Sequence, residues 1–209
     1  MDTALFGNPD ADWVLLQPTD DHDLAFMREE TESIRRLSAV DFCLTAFRVE
    51  NWNTQLSPWK APAVFGKADF GDGAESTLKE VLAYCRDPGK TYVIGGYSLA
   101  GLFALWAACR TDAFRGAAAA SPSVWFPGFT DYVKENPVRC GRVYLSLGDR
   151  EEKTRNPVMA AVGQRIRETY ECLRAQGIAC TLEWNEGNHF RDAALRCAKA
   201  FAWVMGRDA

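Results

Sequence analysis

An α/β fold, with a mostly parallel sheet of about six strands and helices on both faces, is the class this 209-residue chain predicts. Two observations carry it. Short apolar runs, the size of buried strands, alternate with longer stretches of helical spacing, the order in which parallel strands and their crossover helices follow one another. The composition, 47% hydrophobic and 25% charged, supplies one core without a linker, so a single domain over residues 1–209 is expected.

Each element has its own reason. Trp13-Val14-Leu15-Leu16-Gln17 predicts a buried strand, stopped by Pro18 and the polar Thr19-Asp20-Asp21-His22-Asp23. Leu24, Met27, Ile34 and Leu37 share one face of a helix over 24–38, with Asp23 as its expected N-cap. The run 42–47 is the next strand. Between 50 and 74, Trp52, Pro58, Trp59, Pro62, Gly66, Gly71 and Gly73 follow no period. A loop of roughly that length is uncommon unless functional, so it is expected to form one wall of a pocket. A helix over 76–86 stops at Pro88-Gly89, and Thr91-Tyr92-Val93-Ile94-Gly95 predicts a central strand. The stretch 99–110 is helical and apolar on most sides. Strands are expected at 116–120, 142–147 and 180–184, with helices near 157–175 and 190–205.

The 24 basic and 28 acidic residues give a net charge of -4, and no basic cluster exceeds Arg35-Arg36, so nucleic acid is not an expected partner. No apolar run approaches the roughly 18 residues of a membrane span, and residues 1–10 lack the basic and apolar regions of an export signal, so no membrane association is expected. A cytoplasmic location follows as the expectation. The seven cysteines are odd in number, scattered and without a Cys-x-x-Cys pair, which points to reduced thiols and to no metal site.

The segment that carries chemistry is Gly95-Gly96-Tyr97-Ser98-Leu99-Ala100-Gly101. A serine hydroxyl becomes an effective nucleophile only when it is exposed, given a base and set beside backbone donors for an oxyanion. A tight strand-turn-helix elbow exposes it and supplies a donor, and needs small residues two before and two after the serine. Gly96 and Ala100 meet that need, although glycine is commoner at the second position. Ser98 is therefore the candidate nucleophile of an α/β-hydrolase fold, and Leu99 N–H one oxyanion donor. Only His22 and His189 can act as its base. In this fold the order is serine, acid, histidine, which selects His189 and leaves His22 as a solvated loop residue, with a place in the pocket lining as the alternative. The acid is expected just after the strand at 142–147. Many hydrolases of this fold carry Gly-x-x-Asp there, and the matching residue is Glu151, with Asp149 as the alternative and a serine-histidine dyad as a third arrangement. Pro18 has no N–H, so Thr19 is the expected second oxyanion donor. Trp52, Trp59 and Trp125 are candidate pocket walls.

Gly96 to Gly101, Ser121-Pro122-Ser123-Val124-Trp125-Phe126, Gly148-Asp149-Arg150-Glu151 and Asn188-His189-Phe190 resemble the esterases of the α/β-hydrolase superfamily related to esterase D and the ferric enterobactin esterases. Trp52-Asn53, Leu56 to Trp59 and Phe70-Gly71 are similar to small bacterial members of that group. The resemblance covers most of the chain. It implies the fold, serine-based cleavage of a small-molecule ester without a cofactor, and the roles of Ser98 and His189. It carries no particular substrate, because the group spans siderophores, S-formylglutathione and feruloyl esters. It also implies a chain that begins at the third strand of the full fold, shortened at its N-terminal side. A thioesterase or acyltransferase with the same residues, a peptidase, and a non-catalytic binding module on this fold are the competing expectations.

Overall fold

The computed structural model describes residues 1–206. Seven strands form one sheet: β1 (Thr3–Gly7), β2 (Trp13–Thr19), β3 (Phe42–Arg48), β4 (Thr91–Tyr97), β5 (Gly116–Ala120), β6 (Arg142–Gly148) and β7 (Ala179–Asn185). Their spatial order is β1-β3-β2-β4-β5-β6-β7. All pairings are parallel except β1 on β3, where Leu5 faces Thr45 in an antiparallel register. The six expected strands are all present, and β1 is an addition. An antiparallel strand therefore precedes what had been expected to be the first element.

Helices cover both faces. In the strands, consecutive residues point to opposite faces. Leu15 and Val93 face a core shared with α2 (Met27–Leu37) and α9 (Ala193–Met205). Leu16 and Ile94 face a larger core with α4 (Ala74–Leu82), α5 (Leu99–Arg110) and α8 (Val162–Ala175). Burial on both sides explains why β2, β3, β4, β5 and β6 are nearly uninterrupted apolar runs.

Several boundaries differ from expectation. The helix foreseen over 24–38 breaks at Ala25-Phe26 into α1 (Asp21–Leu24) and α2. The cap is Asp20, whose Oδ1 accepts the Asp23 N–H at 2.8 Å, not Asp23. The stretch 50–74 is partly ordered by α3 (Trp52–Gln55), capped by Asn51 through the Thr54 N–H, and by an antiparallel bridge between Ala61 and Phe70. The 157–175 helix is α7 (Pro157–Ala160) followed by α8, and α6 (Phe129–Glu135) was not foreseen. All seven cysteines are free thiols. No described helix is long and apolar enough to cross a membrane.

Candidate functional site

In a sheet of this kind the carboxyl ends of the strands form the crevice in which chemistry is placed. Four loops converge there, after β4, β5, β6 and β7.

β4 ends at Tyr97, and Ser98 joins it to α5 with φ 56° and ψ -118°, outside the regions a serine ordinarily occupies. Its N–H donates to Ala120 O at 3.1 Å and its carbonyl accepts the Ser123 N–H at 3.0 Å, so the neighbouring strand end holds the strained turn. The turn is close: a Cβ on Gly96 would stand 2.6 Å from the Cβ of Ala100. Glycine at 96 is thus what lets alanine occupy 100. Leu99 opens α5, where the first-turn N–H groups have no acceptor within the helix.

His189 lies between β7 and α9. Its Nε2 is 3.0 Å from Ser98 Oγ and its Nδ1 is 2.7 Å from Glu151 Oε2. Its carbonyl accepts the Tyr97 hydroxyl at 2.7 Å. Glu151 begins a single 3₁₀ turn after β6 and is 8% exposed. Burial pushes its carboxyl up, but hydrogen bonds and charge from His189, with the Gly148 N–H and Ser121 hydroxyl, outweigh that and hold it below the usual carboxylate range. The three side chains thus form one continuous hydrogen-bonded line.

Asp149, the alternative acid, has another task. Its Oδ1 accepts the Gly187 N–H at 2.7 Å and pins the loop that carries His189. Thr19 does not face the serine. It pairs with Arg48, its carbonyl accepts the Val49 N–H at 2.8 Å and its hydroxyl donates to Phe47 O at 3.2 Å. In this register its N–H also points to β3, away from β4 and Ser98, so Thr19 is corrected as an oxyanion donor. Trp59 donates its indole N–H to Pro127 O at 2.9 Å and packs on Phe126, while Trp125 is 8% exposed among Phe65 and Phe70. Trp52 is partly buried against the same core. These rings clamp the 50–74 segment onto the residues after β5.

Four residues near this line were not foreseen as site residues. Arg196 in α9 is 1% exposed, and its Nη1 lies 2.8 Å from Glu151 Oε1 and 3.1 Å from both Tyr97 Oη and Ser121 Oγ. Its Nη2 donates to the carbonyls of Glu186 and Asn188, either side of Gly187. One guanidinium therefore ties the acid to the histidine loop. Ser121 Oγ donates to Glu151 Oε1 at 2.8 Å, and Ser123 Oγ is 3.2 Å from Ser98 Oγ. The sequence signal for the two serines was their position directly after the strand beside β4. Among the described residues no group of three or more His, Cys, Asp or Glu is placed to hold a metal.

This topology and this elbow define an α/β-hydrolase fold. No family model matches the chain and no curated protein matches it, but solved structures do. A siderophore hydrolase, EstA from Aspergillus nidulans, is 22% identical over 95% of this chain and 84% of its own, with a TM-score of 0.66. An IroE-like serine hydrolase from Shewanella oneidensis is 14% identical over 96% and 74%, with a TM-score of 0.76. A Bacillus cereus carboxylesterase is 14% identical over 98% and 95%, with a TM-score of 0.64. At such identities the likeness is one of fold.

Proposed function

We propose that the protein is a serine esterase that cleaves a small-molecule carboxylic ester through an acyl-enzyme on Ser98. The observation that carries this reading is the line Ser98 Oγ, His189 Nε2, His189 Nδ1, Glu151 Oε2 at 3.0 and 2.7 Å. His189 takes the Ser98 proton as Oγ attacks the ester carbonyl, and gives it to the departing alcohol. Water, activated by the same imidazole, then releases the acid. Glu151 fixes the tautomer with Nδ1–H toward the carboxylate and stabilises the imidazolium. The fold neighbours described as a siderophore hydrolase, a serine hydrolase and a carboxylesterase support ester cleavage as the reaction class.

The oxyanion is held by Leu99 N–H and, in place of Thr19, by Asp20 N–H. What supports Asp20 is its extended backbone, with φ -98° and ψ -176°, directly after Thr19, since successive N–H groups of an extended chain alternate sides. The free thiols suit a reducing compartment, and we assign the protein to the cytoplasm.

The test is a fluorophosphonate probe, which labels the wild type and not Ser98→Ala. A panel of acyl esters, thioesters and amides then separates the reaction classes. Unlabelled, correctly folded wild type overturns the reading, and turnover of thioesters or amides alone replaces esterase with thioesterase or peptidase.

A further inference from the structure

Beside this site, on the face of the sheet that α2 and α9 cover, lies a cavity of about 380 Å³. Its floor is made by Gln17 at the end of β2 and Glu30 in α2, which are 3% and 1% exposed. Glu30 Oε2 accepts the Gln17 amide at 3.3 Å, a long bond, while Oε1 of each residue has no hydrogen-bond partner. A buried polar atom without a partner carries most of its desolvation cost, and native structures keep few of them. Gln17 Oε1 can only accept, and Glu30 Oε1 accepts once the carboxyl is ionised, so what completes the floor around an ionised Glu30 is a group that donates.

The charge around the cavity names that group. Asp23, Glu29, Glu30 and Asp192 contribute carboxylates to its walls, against Arg36 and His22. Arg36 is engaged with the Ser33 hydroxyl at 2.8 Å, and the His22 ring stands edge-on to Phe26. Burial, opposed by the Gln17 hydrogen bond and assisted by the charge of Asp23, pushes the Glu30 carboxyl up to about 8. A cation in the cavity relieves both the burial and the repulsion. The rim is apolar, since Phe26, Phe190 and Leu195 keep 44%, 89% and 41% of their surface exposed. A donor-rich cationic head on an alkyl chain meets the acidic floor and the apolar rim together.

Ser98, His189 and Glu151 do not line the cavity, but the neighbours of two of them do. Tyr97 lines it and precedes Ser98, and Phe190 lines it and follows His189, with the His189 and Phe190 ring centres 5.6 Å apart. We propose that this cavity binds an alkylammonium group and that, on the esterase reading above, it selects esters that carry one. The primary ammonium sits on Glu30 and Gln17, its chain runs along Phe26 and Phe190, and the ester lies at Ser98.

Binding is read without turnover, by calorimetric titration of the whole protein with n-pentylamine and with the neutral isostere 1-pentanol. The amine is expected to saturate, with the alcohol weaker by about tenfold or more, the size of one charge-assisted hydrogen bond. Glu30→Gln is expected to weaken the amine by a similar factor. Should that variant not fold, the two probes on the wild type decide. No saturable amine binding, equal binding of the alcohol, or undiminished amine binding by folded Glu30→Gln overturns the site. Paired substrates, 5-aminopentyl acetate against hexyl acetate, test the selection, with kcat/KM about tenfold higher for the aminoester expected and equal values overturning it. If neither ester turns over and fluorophosphonate does not label Ser98, the esterase reading falls while the amine titration still decides the cavity.

Discussion

Ser98 is held in a backbone conformation that costs energy, and on the esterase proposal the reason to hold it there is the position of Oγ. Strain of this kind amounts to about 1–3 kcal/mol, and glycine tolerates a positive φ. Ser98→Gly is therefore expected to raise thermal stability, by about 1 kcal/mol, while abolishing ester turnover. A thermal melt showing no gain over Ser98→Ala would remove the argument from strain. The two carboxylates after β6 separate as cleanly. Glu151 meets His189 Nδ1, and Asp149 holds the Gly187 N–H. Glu151→Gln is expected to lower kcat by roughly 10⁴, as for other changes that favour the wrong imidazole tautomer. Asp149→Asn should cost far less, and equal losses would count against Glu151 as the orienting acid. Ser98, His189 and Glu151 were legible as candidates because a tight turn admits few residue types, only two histidines were available and Glu151 ends the run Gly148-Asp149-Arg150-Glu151 after a strand. Arg196 was not, because a lone arginine on an apolar helix reads as a surface residue until its two Nη groups are seen to reach five acceptors.

The elements bring these residues together through their ends. Arg196 sits in the first turn of α9 and reaches back to the end of β4 and to the loops after β5, β6 and β7. Removing one partner of a buried ion pair typically costs about 3–5 kcal/mol. Arg196→Met is accordingly expected to lower stability on that scale. It should also lower kcat more than it raises KM, because His189 and Glu151 lose their common tether. Arg196→Lys should restore part of kcat, since it keeps the charge but not the fork. A kcat unchanged in folded Arg196→Met would reduce the arginine to a structural role. The same ends were the hardest part to read in advance. Buried parallel strands announce themselves as short apolar runs, so six of seven were legible. β1 was not, since Thr3-Ala4-Leu5-Phe6-Gly7 is a half-exposed edge strand with one side in solvent and no apolar run. Helix breaks at Ala25-Phe26 and Ala161 carry neither proline nor glycine, so nothing local marks them.

At the scale of the whole molecule the two cores are apolar, and the buried acids Glu30 and Glu151 mark opposite demands on stability. The folded state holds the Glu151 carboxyl below the usual range, so the unfolded chain binds the extra proton, and stability drains away as pH falls below about 4.5. Glu30 works the other way. Its carboxyl is pushed up to about 8 by burial, against about 4.5 in the unfolded chain, so between those values the folded state binds the extra proton. Stability is then lost as pH rises through that window, by an amount on the order of a few kcal/mol. Asp23, pushed up to about 6 by burial and by the charge of Asp20, adds to the same loss over its own lower window. The chain should therefore be most stable near pH 5 and weaken toward both sides. In chemical denaturation across pH 4 to 9, Glu30→Gln is expected to flatten most of the alkaline limb and leave the acid limb in place. A wild type whose stability is level from pH 5 to 8, or an alkaline limb that persists unchanged in Glu30→Gln, would show that Glu30 is ionised in the folded protein. The same groups connect this curve to the cavity: an ammonium bound on Glu30 should restore stability most at the alkaline end, where the folded protein is otherwise penalised for keeping that carboxyl out of water.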